Sequence, residues 1–158
     1  MYFDSSLKLD GGGAGVLFIS PKGEQLKYVF QILFKVSNNE AEYEALLHGL
    51  WLAVSLGIKR LLVYGDSLLV VQQVNKEWDI NKDTMDAYVE EIRKLVNKFS
   101  GLEIHQVDRC WRCLSAIFTR QLYSIIKENY MPYSHICIAN LAPQLFLSFV
   151  YFRWARAE

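Results

Sequence analysis

Three acidic residues stand where packing gives no reason for a charge: Asp4 after an apolar start, Glu42 in the first turn of a helix-like segment, and Asp66 just beyond the run Ile58 to Tyr64. Each has an ordinary explanation. Asp4 starts a polar turn, Glu42 lies three residues after Asn39 in capping-box spacing, and Asp66 caps a following helix. As a set they allow more. If the first strand lies beside the strand that follows the helix, Asp4 and Asp66 project from neighbouring strands, and the helix start brings Glu42 over the same point. Carboxylates that close repel one another, so they persist as anions mainly when a divalent cation neutralises them. Oxygen-only ligation favours Mg²⁺ or Mn²⁺. Two such ions about 3.5–4 Å apart activate a water and stabilise the leaving oxygen of a phosphodiester, which is nuclease chemistry.

The elements that must position these acids follow from periodicity and punctuation. Tyr2-Phe3-Asp4 reads as a strand end, followed by a loop containing Gly11-Gly12-Gly13 and a second strand from Ala14 to Ile19. Ser20-Pro21-Lys22-Gly23 has turn chemistry, and Tyr28 to Val36 offers a third strand, so the three form an antiparallel meander. Ser37-Asn38-Asn39 supplies N-cap residues to a helix whose Leu46, Leu47, Leu50, Ala53 and Val54 recur at helical spacing until Gly57. Ile58 to Tyr64 is a β-branched and aliphatic strand. A short helix from Leu68 to Val74 then begins at Asp66 or Ser67. Asp83-Thr84 caps a third helix with Met85, Tyr88, Val89, Ile92, Leu95, Val96 and Phe99 on one face, closed by Ser100-Gly101. Leu102 to Val107 is a fifth strand. The order predicts an α/β domain: a mixed five-stranded sheet, three strands antiparallel and two added in parallel, flanked by helices.

Composition bounds the rest. A chain of 158 residues accommodates one ordinary domain, and 52% hydrophobic residues supply a core that a disordered segment lacks. Seventeen Lys and Arg balance seventeen Asp and Glu, so nucleic acid would be held by local patches and not by global attraction. Cys110, Cys113 and Cys137 form an odd set without a disulfide framework, and the start carries no secretion signal, which together predict an intracellular setting in cytoplasm or nucleus. The CxxC lacks a second pair and falls short of the four ligands zinc needs, even with His105. Gly11-Gly12-Gly13-Ala14-Gly15 is not followed by Gly-Lys-Ser/Thr, so it reads as a flexible strand connection and not a phosphate loop. Trp51 and Trp78 read as packing residues at helix ends. Asn129 to Phe152 is uncharged, but Pro132, Asn140, Pro143 and Gln144 interrupt it, and no membrane span is expected.

Tyr2-Phe3-Asp4-Ser5-Ser6, Gly11-Gly12-Gly13-Ala14-Gly15, Asn38-Asn39-Glu40-Ala41-Glu42-Tyr43-Glu44-Ala45-Leu46 and Val63-Tyr64-Gly65-Asp66-Ser67 resemble ribonuclease H type 1 domains, particularly those of plant long-terminal-repeat retrotransposon polyproteins. The resemblance runs from the first residues to about Val107. It implies that Asp4, Glu42 and Asp66 are catalytic, bind two Mg²⁺ (or Mn²⁺) and hydrolyse the RNA strand of an RNA–DNA hybrid. It also implies that Asn38, Asn39 and Ser67 lie near the hybrid minor groove, where the 2′-OH distinguishes RNA from DNA.

The likeness departs in two places. Ser5 stands where the family has Gly directly after its first Asp, and no residue from Cys113 to Ala116, where the family's fourth acid would fall, is acidic. A second expectation therefore stands beside the enzyme: a catalytically impaired retrotransposon-derived relic with weak nucleic-acid binding. Residues 1–107 are expected to form the ribonuclease H-like domain, and 108–158 a divergent, irregular extension. A shifted reading frame near Cys110-Trp111-Arg112-Cys113 would account for that change, and the short run before Asp4 reads as a frame opened at an internal Met of a larger polyprotein.

Overall fold

Buried residues two apart, Ala14, Val16 and Phe18 on one segment and Tyr28, Phe30 and Ile32 on the next, give each strand one apolar face. They belong to β2 (Gly11–Ile19) and β3 (Gln25–Ile32), which with β1 (Tyr2–Lys8) form an antiparallel meander. The computed structural model describes residues 1–8, 11–32, 35–75, 83–107 and 139–140. The turn between β2 and β3 is built as its composition predicts. The Ser20 hydroxyl accepts from the amides of Lys22 and Glu24, and Gly23 takes φ 85°.

The expected loop at Gly11-Gly12-Gly13 is instead the start of β2. Its register carries β1 on past Asp4 to Lys8, through Ser5↔Ala14 and Lys8↔Gly11. Glycine there answers a close approach: a Cβ on Gly12 would lie 3.1 Å from Leu7 Cδ2 and 3.3 Å from Ile32 Cβ. The third strand is likewise shifted, spanning Gln25–Ile32 where Tyr28 to Val36 was expected, because pairing with β2 begins at Ile19↔Gln25.

Helix α1 (Asn38–Ser55) is capped at both ends by local chemistry. Ser37 accepts from the Glu40 amide while Glu40 accepts from the Ser37 amide, a reciprocal capping box. At the other end Gly57, at φ 72°, donates to Val54 and Ile58 donates to Ala53, which closes the helix in a Schellman motif. Leu46, Leu50 and Ala53 are fully buried. Trp51, expected to be a packing residue at a helix end, lies within α1 and is 42% exposed, with the Lys98 ammonium 5.9 Å from its ring centre. It sits a third of a turn from Leu50 and so leaves the apolar face. Trp78 lies outside the described residues.

Strand β4 (Arg60–Gly65) returns parallel to β1, and β5 (Gly101–Gln106) adds parallel to β4. Between them come α2 (Leu68–Val74) and α3 (Asp83–Val96), with Met85, Val89, Ile92 and Leu95 of α3 buried in the common core. The sheet order is β5-β4-β1-β2-β3-β6, so the five expected strands and their directions are present. A sixth element, β6 (Ala139–Asn140), pairs antiparallel with β3 at Tyr28↔Asn140. No helix among the described residues is long and apolar enough to cross a membrane. Outside this pair, Asn129 to Phe152 lies beyond the described residues.

Three hydroxyl and ring contacts lock α1 to its neighbours. Tyr43 donates to Gln73 of α2, Tyr88 of α3 donates to Glu44 at 2.6 Å, and the Tyr43 and Tyr88 rings stack 5.6 Å apart.

One glycine governs the join between β1 and β4. Gly65 pairs with Phe3, and a Cβ on it would fall 2.2 Å from Phe3 Cζ. Gly65→Ala is therefore expected to push the Phe3 ring out of its place between the strands and destabilise the fold by about 1–3 kcal/mol. A urea melt reads that loss as a lowered midpoint at constant slope.

Candidate functional site

β1 carries Asp4 one residue beyond its last parallel pair with β4, Phe3↔Gly65, and β4 delivers Asp66 directly after Gly65. Neighbouring parallel strands thus bring two acids to one edge of the pairing. α1 supplies the third, for Glu42 follows the capping Glu40 by two residues and lies on the buried side of the helix. One carboxylate oxygen from each of Asp4, Glu42 and Asp66 lies within 4.8 Å of the others. The convergence expected from strand order is therefore present in the structure.

The ordinary explanations for two of these acids do not hold. The capping box uses Ser37 and Glu40, which leaves Glu42 without an end-capping role. α2 is capped by Ser67, whose side chain accepts from the Val70 amide, and Asp66 precedes the cap. Asp4 accepts from the Ser5 amide at 2.9 Å, a contact between adjacent residues that also suits a polar strand position.

Burial sets the electrostatics. Asp4 is 8% and Glu42 5% exposed, while Asp66 is half-buried. Loss of hydration lifts the Glu42 carboxyl from 4.5 to about 8, with the neighbouring Asp66 and Asp4 charges pushing the same way and the Ser5 hydroxyl opposing. Glu42 Oε1 accepts from Ser5 Oγ at 2.6 Å, but Oε2 is buried with no hydrogen-bond donor among the described residues. An orphaned buried oxygen beside two further carboxylates is a donor set that suits a hard divalent cation.

Asn38 and Asn39 open α1 and are exposed, and Ser67 follows Asp66. They border the acids along the chain. His105 faces Glu103 at 3.0 Å, whereas Cys110 and Cys113 lie outside the described residues. Residues 113–116, where a fourth acid was sought, are outside them too. The residue that sequence reasoning passed over is Ser5, noted only as a replacement for Gly. Its partner Glu42 lies 37 positions away, and no local spacing signals that contact.

A family model described as reverse transcriptase-like matches residues 3–110. Ribonuclease HI of Halobacterium salinarum is 30% identical over 110 residues, covering 68% of this chain and 55% of the relative. A bifunctional protein of Mycobacterium tuberculosis is 30% identical over 113 residues, covering 65% of this chain and 31% of the relative. The chain thus spans about half or less of the length of these relatives. Among solved structures, the type 1 ribonuclease H of Halobacterium salinarum superposes with a TM-score of 0.65 at 28% identity, over 69% of this chain and 84% of that one. The type 1 ribonuclease H LC11, a compost metagenome protein solved in complex with an RNA/DNA hybrid, gives 0.61 at 25% identity, over 68% and 83%. With the strand order, the three converging acids and a match over residues 3–110, the chain belongs to the reverse transcriptase-like family of ribonuclease H-like domains.

Proposed function

We propose that this chain is a metal-dependent endonuclease that hydrolyses the RNA strand of RNA–DNA hybrids, an intracellular domain derived from a plant long-terminal-repeat retrotransposon polyprotein. The observation that carries the reading is the meeting of Asp4, Glu42 and Asp66, with Glu42 Oε2 left without a donor among the described residues, in a ribonuclease H-like fold. The LC11 complex with an RNA/DNA hybrid supports the substrate class.

In this reading Asp4, Glu42 and Asp66 hold Mg²⁺ or Mn²⁺, two ions in all. Such ions, when bound, supply an activated water and offset the charge that develops on the leaving oxygen. The chain's residues do the remainder. Asp4 and Glu42 present their carboxylates from buried ground, where attraction for a cation is screened less than in water. To hold an ion, Glu42 would release its carboxyl proton to solvent. Asn38, Asn39 and Ser67 meet the minor groove, where contact with the 2′-OH selects the RNA strand.

The test is cleavage of an end-labelled RNA–DNA hybrid in Mg²⁺, with DNA duplex and a chelator as controls. Cleavage confined to the hybrid's RNA strand is expected, and none above a Glu42→Ala control would sink the reading. The absence of an acid from Cys113 to Ala116 favours a second one, a relic that binds the hybrid weakly without turnover. Retention of hybrid on the protein with no product would decide for it.

A further inference from the structure

Ser5 touches two of the three acids, which arrive from different elements. Its amide donates to Asp4 Oδ1 at 2.9 Å, and its hydroxyl donates to Glu42 Oε1 at 2.6 Å across from β1 to α1. The second distance lies in the short range of hydroxyl-to-carboxylate bonds. A hydroxyl has one proton to give, and here it goes to Oε1. Oε2, buried and without a donor among the described residues, is the oxygen left over.

We infer that Ser5 is a positioning residue for the metal centre, pinning one oxygen of Glu42 so that the other is presented to a cation. The inference rests on the metal-site reading above and goes beyond it, since it gives a role to a residue outside the three acids. A glutamate held only by its stem can turn its carboxyl plane and exchange its two oxygens. One fixed through Oε1 cannot exchange them without breaking that bond. Partners that orient a metal ligand in this way typically change metal affinity by about 10–100-fold.

The experiment is calorimetric titration of Mn²⁺ into the full chain, freed of metal, at one pH, for the unaltered protein, Ser5→Ala and Ser5→Thr, each with its metal-free melting temperature. Ser5→Ala is expected to bind Mn²⁺ about tenfold more weakly, and Ser5→Thr, which keeps the hydroxyl, within about twofold of the unaltered chain. A purely structural Ser5 would shift the melting temperature of Ser5→Ala and leave its Mn²⁺ affinity unchanged. That result, a tighter Ser5→Ala, or equal loss in both variants overturns the role given to Ser5 and leaves the metal site standing. An unaltered chain that takes up no Mn²⁺ overturns the metal site and this role with it.

Discussion

Asp66→Asn is expected to slow hydrolysis of the RNA strand by a factor on the order of 10²–10³, the loss of several kcal/mol of charge stabilisation when one metal carboxylate becomes an amide. The fold should survive the change. Asp66 is half-buried, it follows β4, and the cap of α2 belongs to Ser67, so the substitution removes charge and leaves that cap in place. Unchanged circular dichroism and melting temperature in the absence of metal, together with lost cleavage, is the expected pair of results. Cleavage at the original rate would show that Asp66 is not among the metal ligands.

Glu42→Gln, by contrast, should raise the stability of the metal-free chain. The buried Glu42 carboxyl sits at about 8 in the folded chain, against an ordinary 4.5. As pH rises from 4.5 towards 8 the unfolded chain loses this proton and the folded chain keeps it, so the metal-free protein loses stability through that window. By pH 7 the cost is on the order of 3 kcal/mol. A neutral Gln escapes it, so metal-free Glu42→Gln is expected to melt on the order of 10 °C higher at pH 7 and at nearly the same temperature as the parent at pH 4.5. Mg²⁺ should reverse the ranking by stabilising only the parent, and more strongly at pH 8 than at pH 6, because binding releases the proton. Parallel melting curves at both ends of the window would refute the burial argument.

Much of this molecule is legible in local rules. The ends of α1 are written in Ser37 and Gly57, the turn after β2 in Ser20 to Gly23, and the face of α3 in Met85, Val89, Ile92 and Leu95. The meeting of Asp4 with Asp66 follows from β1 and β4 being neighbours, which a crossover through α1 permits. What escaped depended on distances between segments. Gly11-Gly12-Gly13 looks like a loop until Leu7 and Ile32 are seen to close on Gly12. The capping box fits Asn39 and Glu42 by spacing as well as Ser37 and Glu40, and only the backbone path chooses between them. Trp51 leaves the apolar face of α1 one residue after the buried Leu50, and the Ser5 bond to Glu42 joins two elements that share no pattern.

The bonds from Tyr43 to Gln73 and from Tyr88 to Glu44 have a mechanical meaning. Each residue of a helix advances its side chain by about 100° around the axis, so a small roll of α1 would carry Glu42 sideways off its partners. Tyr43 and Glu44, the next two residues, are keyed to α2 and α3 like a shaft pinned at two azimuths, which denies α1 that roll. A cation held as proposed above would therefore meet Glu42 already aimed, at little cost in entropy to organise it.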